Sequence, residues 1–158
     1  MFHITIYPGT FDPLTRGHLD IVERAVKIFD QVIVAVAVGS HKFVYLPLED
    51  RLMLASKVFE GMKNVKVISF QSLLMDFVHE QKACSILRGI RAASDYDYEF
   101  QLAGMNRVLD SQIETIFLPA SDRYAFISST MVRDIIALGG DVSPFVPSIV
   151  AEFVSTRK

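Results

Sequence analysis

Three short clusters carry the side chains and backbone donors from which a phosphate site can be built. The first is Tyr7-Pro8-Gly9-Thr10-Phe11-Asp12-Pro13 followed by Thr15-Arg16-Gly17-His18, where an apolar run breaks into a Gly-containing loop and a helical pattern begins. A buried strand feeding such a loop into a helix gathers free backbone N–H groups and the positive end of the helix dipole at one spot. Gly17 lets the backbone approach a ligand closely, and His18, near the first helical turn, can point an imidazole N–H at a phosphate. A Gly-His pair met in isolation is commonly just a polar helix start; placement directly after the first strand favours function.

The second cluster, Leu87-Arg88-Gly89-Ile90-Arg91, sets two guanidiniums three residues apart around a glycine at the end of a predicted strand. Arginine's planar fork matches phosphate oxygens, and the apolar strand before it implies that Arg88 emerges at the edge of a sheet. The third, Ile127-Ser128-Ser129-Thr130 ahead of Met131-Val132-Arg133, reads first as an N-cap, which uses one hydroxyl. The surplus hydroxyls, together with the exposed N–H groups of a helix start, make a second anion cradle. Lys42, just past the second strand, is by itself an ordinary solvated lysine, and Glu99, beside core-like Tyr98, reads as an exposed helix charge. Cys84, Met75 and Met105 read as packing residues, and His3, His41 and His79 form no metal-ligand spacing.

The elements that must position these clusters follow from hydrophobic periodicity. Strand-length apolar stretches recur at Ile4 to Tyr7, Val32 to Val38, Val65 to Phe70, Ser85 to Leu87 and Ile113 to Leu118, with amphipathic segments between them. Leu19, Val22, Val26 and Phe29 mark one helical face; Leu52, Ala55, Phe59 and Met62 a second; Tyr98, Leu102, Met105 and Leu109 a third; Leu73 to Gln81 is a shorter fourth segment. Continuous rather than alternating strands predict an α/β fold, a doubly wound five-stranded parallel sheet covered on both faces. In such a sheet the loops Pro8 to His18, Gly39 to Pro47, Arg88 to Ala93 and Pro119 to Thr130 converge at the carboxyl ends of the strands. The chain then reads as a helix to Leu138, a Gly139-Gly140 stop, and a last helix begun by Ser143, Pro144 or Pro147.

Composition narrows the classes. At 158 residues the chain is expected to form one domain, residues 1–158. Sixteen basic and eighteen acidic side chains, a net charge of −2, give no overall attraction to nucleic acid or an anionic membrane surface, so an anionic ligand must be held by local charge. A single cysteine excludes an internal disulfide and a cysteine-based zinc site, and points to the cytosol. The longest apolar run, Val32 to Val38, is far short of a membrane span, so a soluble, cytoplasmic protein is expected. A mean hydropathy of +0.32 is high for a short chain and suggests self-association.

At these residues the chain closely resembles the bacterial phosphopantetheine adenylyltransferases of the nucleotidyltransferase superfamily, which share a Gly-His signature with class I aminoacyl-tRNA synthetases. The likeness spans essentially the whole chain, through Tyr7 to Pro13, Gly17-His18, Arg88 to Arg91, Tyr98-Glu99, Met105-Asn106-Arg107 and Phe126 to Thr130. The resemblance implies a Rossmann-like nucleotidyltransferase fold and transfer of an adenylyl group from ATP to 4′-phosphopantetheine, giving dephospho-coenzyme A and pyrophosphate without a covalent intermediate. It further implies that Thr10, Lys42, Leu74 and Arg88 bind phosphopantetheine. It places Thr10, Phe11, His18, Gly89, Ile90, Arg91, Glu99, Tyr124, Ala125, Phe126, Ile127, Ser128, Ser129 and Thr130 around ATP, with His18 as transition-state stabiliser. Magnesium is implied to travel with the nucleotide rather than in a protein metal site, and the assembly to be a homohexamer, a dimer of trimers; coenzyme A is a chemically reasonable feedback ligand.

The residues themselves give that chemistry a basis. The nucleophile is already an anionic phosphate, so no general base is required; the site must align two repelling anions and neutralise charge on the α-phosphate and leaving pyrophosphate. Lys42, Arg88 and Thr10 are expected to aim the incoming phosphate, His18 to donate to the α-phosphate, and Arg91, Ser129, Thr130 and Mg²⁺ to hold the leaving group. Arg16, Leu74, Tyr124 and the stretch from Val44 to Asp50 depart from the usual family sequence at the edges of the site. Transfer to nicotinate mononucleotide or glycerol 3-phosphate is the rival within the superfamily, and a nucleotide-binding sensor the rival outside enzymes.

Overall fold

A computed structural model describes residues 2–39 and 44–157. Five parallel strands, β1 (Ile4–Gly9), β2 (Gln31–Ala37), β3 (Val65–Phe70), β4 (Ser85–Ile90) and β5 (Glu114–Pro119), form one sheet in the order β3-β2-β1-β4-β5. The helices between and after them are α1 (Arg16–Ala25), α2 (Leu48–Val58), α3 (Leu74–Glu80), α4 (Ala93–Leu109), α5 (Ser129–Ala137) and α6 (Ser148–Ser155), with a 3-10 turn at Asp122–Tyr124. The Val- and Ile-rich runs of β1 and β2 are buried on both faces because helices cover both. One core lies between the sheet and α1 and α2, around Val22, Ala25, Val34 and Ala55; a second lies on the other face around Ile33, Met75, Phe77 and Ile86; a third joins α2 to α5 and α6 through Leu54, Val132 and Val150.

Chain order reverses at β1, which has β2 on one side and β4 on the other. This switch point is where such sheets open to ligands. β1 pairs with β2 along its whole length, from Ile4↔Gln31 to Gly9↔Val36, but with β4 only at Thr5↔Ser85 and Ile6↔Ile86. β4 meanwhile stays paired with β5 as far as Ile90↔Pro119. The two central strands therefore diverge after Ile6 and Ile86, and the divergence is the floor of a cleft.

That geometry revises two expected loops. Pro8 and Gly9 lie in β1, and Arg88, Gly89 and Ile90 lie in β4. Each group keeps a ladder partner on its outer side, which is enough to hold a strand although the sequence carries Pro, Gly and Arg there. The last helix begins after Pro147.

The largest revision concerns α4. Three of the four positions of the expected apolar face are turned outward, Tyr98 62% exposed, Met105 66% and Leu109 58%, while Leu102 stays on the inner side and Glu99 is the one buried residue of the helix. Asp95, Glu99, Leu102 and Asn106 form the stripe that faces the sheet, because the arginines at the end of β4 are there to pair with the acids. Cys84 is likewise exposed rather than packed, with its thiol donating to the Ile4 carbonyl at 3.3 Å.

Candidate active site

A cleft of about 890 Å³ opens at the carboxyl ends of the strands, lined by the β1–α1 segment, the end of β4, the inner stripe of α4 and the start of α5. Its β1–α1 segment is built on a capping box. Thr15 Oγ1 accepts from His18 N at 3.3 Å, and His18 Nδ1 accepts from Thr15 N at 3.0 Å. An Nδ1 that accepts a backbone N–H carries no proton in the neutral ring, so the imidazole hydrogen sits on Nε2. Burial pulls the His18 pKa down to about 4, and the positive charges of Arg91 and Arg88 push the same way. His18 thus lines the cleft as a neutral Nε2–H donor at pH 7. Phe11, buried and with φ +49°, sets its ring edge-on to His18 at 4.9 Å and to Tyr7 at 5.5 Å, packing the imidazole in place.

Gly17 adds a main-chain donor. Arg16 N is taken by the Phe145 carbonyl at 2.9 Å and His18 N by Thr15, so Gly17 N–H is the donor left at the start of α1. A Cβ on Gly17 would meet Thr15 Oγ1 at an ordinary 3.5 Å, so the packing of the protein itself does not demand glycine there.

α5 supplies the opposite cradle. Ser128 caps it by accepting from Met131 N at 3.1 Å, leaving Ser129 and Thr130 N–H without carbonyl partners in the helix. Their hydroxyls are less free than the sequence implies. Ser129 Oγ donates to the Pro13 carbonyl at 2.8 Å, and Thr130 Oγ1 accepts from Arg133 at 3.1 Å. Arg133 also donates to the Asp12 carbonyl at 2.7 Å, which fixes α5 against the β1–α1 segment.

The β4 wall is a wall of charge. Arg88 donates through Nε and Nη2 to the two oxygens of Glu99, each at 2.6 Å, and through Nη1 to the Pro8 carbonyl at 3.0 Å. It bridges the strands where their ladder ends. Burial works to lower its pKa, and the bonds and charge of Glu99 reverse this and raise it. Arg91 pairs with Asp95 at 3.1 Å and reaches the Ile127 carbonyl at 3.2 Å.

Three buried side chains that sequence reasoning missed hold these walls. Asp12 accepts from Tyr45 N at 2.7 Å and Leu46 N at 2.8 Å. Arg51, 1% exposed, donates to the carbonyls of Leu46, Thr10, Ala37 and Val38, and its burial lowers its pKa. Asp20 on α1 accepts from Ser121 Oγ at 2.7 Å and from Arg24 at 3.1 Å; burial would raise its pKa, but these donors lower it. Asp12 and Arg51 act on backbone groups, which no residue spacing marks, whereas Asp20 shows an i,i+4 pair with Arg24 in the sequence but not its bond to Ser121.

The chain is similar to known proteins along nearly its whole length. Residues 6–135 match the family model described as cytidylyltransferase-like. A phosphopantetheine adenylyltransferase of Thiobacillus denitrificans is 52% identical over 96% of this chain and 95% of that protein. Its counterpart from Coxiella burnetii is 54% identical over 98% of this chain and 97% of that protein. The chain belongs to the phosphopantetheine adenylyltransferase family. In fold it is similar to a Vibrio parahaemolyticus protein provisionally named nicotinate-nucleotide adenylyltransferase, with a TM-score of 0.71, 20% identity, and coverage of 98% of this chain and 99% of that one. A lipopolysaccharide core biosynthesis protein from Thermoplasma volcanium shares the fold at a TM-score of 0.59 and 23% identity, over 77% of this chain and 100% of that one.

Measured against the phosphopantetheine adenylyltransferase pattern, most expected residues share the cleft. Thr10, Phe11, His18, Leu74, Arg88, Gly89, Arg91, Glu99, Ile127, Ser128, Ser129 and Thr130 all line it. Ile90, Tyr124, Ala125 and Phe126 are not among the lining residues. Tyr124 packs toward α5 and α6 with Arg123 over its ring at 4.7 Å, and Phe126 is 64% exposed. Lys42 lies outside the described residues. Glu99, expected as an exposed charge, is buried and committed to Arg88, while Tyr98, Asp95 and Arg133 are additional lining residues. The departure at Arg16 points away from the chemistry, donating to the Ser143 carbonyl at 3.2 Å.

Proposed function

We propose that the chain transfers the adenylyl group of ATP to 4′-phosphopantetheine, forming dephospho-coenzyme A and pyrophosphate. The observation that carries this is the cleft itself. A neutral imidazole N–H, two helix N-termini and a fixed guanidinium line one opening at the β1/β4 divergence, in a chain of this family. A phosphate oxygen of the acceptor attacks the α-phosphorus, the bond to the bridging oxygen of the leaving pyrophosphate breaks, and no proton need be removed from the nucleophile.

In this reading Arg88, Thr10 and Lys42 hold the acceptor phosphate, with Leu74 against the pantetheine arm. Thr10, Phe11, His18, Gly89 to Arg91, Glu99 and the segment from Tyr124 to Thr130 surround ATP. His18 Nε2–H donates to the α-phosphate as charge grows there. Gly17, Ser129 and Thr130 N–H and Arg91 take the charge of the leaving group. Magnesium, as the resemblance implies, is read as arriving on the oxygens of ATP, where it would neutralise phosphate charge.

The outward apolar face of α4, with Phe100, Met105, Val108 and Leu109 all more than half exposed, supports self-association, and the resemblance implies that the assembly is a homohexamer, a dimer of trimers. Light scattering after gel filtration checks the mass. Coenzyme A retains the product's arm and is read as a feedback ligand of the same cleft; an initial rate unchanged by added coenzyme A removes that reading. No helix among the described residues is long and apolar enough to cross a membrane, and a cytoplasmic location is proposed for an enzyme of this chemistry.

The direct test is pyrophosphate release from ATP and Mg²⁺ with 4′-phosphopantetheine, beside nicotinate mononucleotide, glycerol 3-phosphate and no acceptor. Release with phosphopantetheine alone, with dephospho-coenzyme A identified by mass, is expected; release with another acceptor, or ATP binding without release, contradicts the reading.

A further inference from the structure

Tyr7 is 6% exposed, and its ring lies in the core between the sheet and α1. Its neighbours there are aromatic, Phe11 edge-on at 5.5 Å and His18 tilted at 6.3 Å. Phenylalanine would fill that space equally well and bring no polar atom out of water, so packing accounts for the ring and not for its oxygen. No group among the described residues hydrogen-bonds to the Tyr7 hydroxyl. Yet no fully buried side-chain N or O among them lacks a partner, so this oxygen is not sealed in the core but open to the cleft that Tyr7 lines. Alternation along the strands decides which side it faces. Tyr7 and Leu87 pack toward α1, whereas Ile6 and Ile86 pack toward α3. By the same period Gly89 returns to the α1 side and Arg88 falls on the other. A Cβ on Gly89 would meet Ile21 of α1 at 3.3 Å and the Tyr7 hydroxyl at 3.8 Å. The hydroxyl thus lies where β1 and β4 diverge, beside Gly89 and on the same side of the sheet as His18. Burial raises the phenol pKa and outweighs the opposing charge of Arg88, so the group is a neutral O–H at pH 7.

We infer that Tyr7 is a nucleotide-binding residue, whose hydroxyl hydrogen-bonds to the ribose and α-phosphate part of ATP next to the Nε2–H of His18. This rests on the functional reading given above, which places His18 and Gly89 at ATP, and adds a contact from the floor of the cleft. A hydroxyl with no protein bond to give up can take a ligand oxygen without loss to the fold. The ring and the oxygen of Tyr7 therefore have separate tasks, and the conservative variant separates them.

Calorimetric titration with ATP and Mg²⁺, without acceptor, compares the unaltered full chain with Tyr7→Phe. The Kd for ATP is expected to rise about tenfold, the loss of one hydrogen bond to the ligand. The urea midpoint of the unliganded variant should equal or exceed that of the unaltered chain, because no protein bond is removed. In turnover, the KM for phosphopantetheine should stay within about twofold. An unchanged Kd for ATP, or a loss that falls on phosphopantetheine, overturns the inference. A Tyr7→Phe chain that fails to fold, or that unfolds at lower urea, overturns it as well, since the hydroxyl would then serve the protein itself. The functional reading fails separately. An unaltered chain that binds ATP but does not turn over phosphopantetheine overturns that reading, while the two Kd values for ATP still decide the role of Tyr7.

Discussion

On the β4 wall of the cleft, positive charge sits on a side chain, Arg88, fixed by a buried acid and tied to the next strand through Pro8. On the α1 and α5 wall the donors are main-chain N–H groups of Gly17, Ser129 and Thr130, and the hydroxyls beside them serve as tethers to Pro13 and Arg133. The difference teaches how one cleft can treat two phosphate groups unequally. A guanidinium fork selects an oriented terminal phosphate, whereas helix N-termini accept a polyphosphate with little demand on any one side chain. Single substitutions should therefore injure the two walls to very different degrees.

The largest effect is expected where the walls meet. His18→Ala should lower kcat by on the order of 10²–10³, roughly 2.7–4 kcal/mol, with both KM values nearly unchanged. An effect confined to KM would place His18 on one wall only. Next, Arg88→Ala leaves Glu99 without its counter-ion and should cost about 2–3 kcal/mol in urea unfolding, less than a fully buried pair because Arg88 is 27% exposed. On the other wall, Ser128→Ala removes a cap and should cost about 1 kcal/mol. Arg91→Ala breaks a more exposed pair and should cost less than about 1 kcal/mol in the same measurement. Equal losses for Arg88→Ala and Arg91→Ala would erase the contrast.

The pH dependence sharpens the point at His18. The native ring titrates near pH 4 and the unfolded one near 6.5. The unfolded chain therefore takes a proton that the native chain refuses, and the stability contributed by neutral His18 is full above about pH 6.5 and lost as pH falls toward 4. Melting temperatures of the unaltered chain and His18→Gln should differ in their slope across that window and run parallel above it.

Much of this was legible from residue types. The Val and Ile runs of β1 and β2, the Gly-His start of α1 and the Ser128 cap all express local preferences, and the structure keeps them. What was illegible depends on partners far along the chain. Pro8 and Arg88 read as loop residues, because sequence cannot show that β2 and β5 hold their outer sides. Tyr98 read as core and Glu99 as surface, because burial on α4 is decided by an arginine eleven residues earlier rather than by helical period. Arg51 and Asp12 work through backbone carbonyls and N–H groups, which carry no residue-type signal.

The division of the cleft is the claim most open to direct attack. Arg88→Lys keeps the charge and removes the fork, so initial rates varied in each substrate separate the two walls. The predicted result is a fall on the order of 10²-fold in kcat/KM for phosphopantetheine, with the KM for ATP within about twofold of the unaltered chain. An equal loss for both substrates, or a loss falling on ATP, would contradict it.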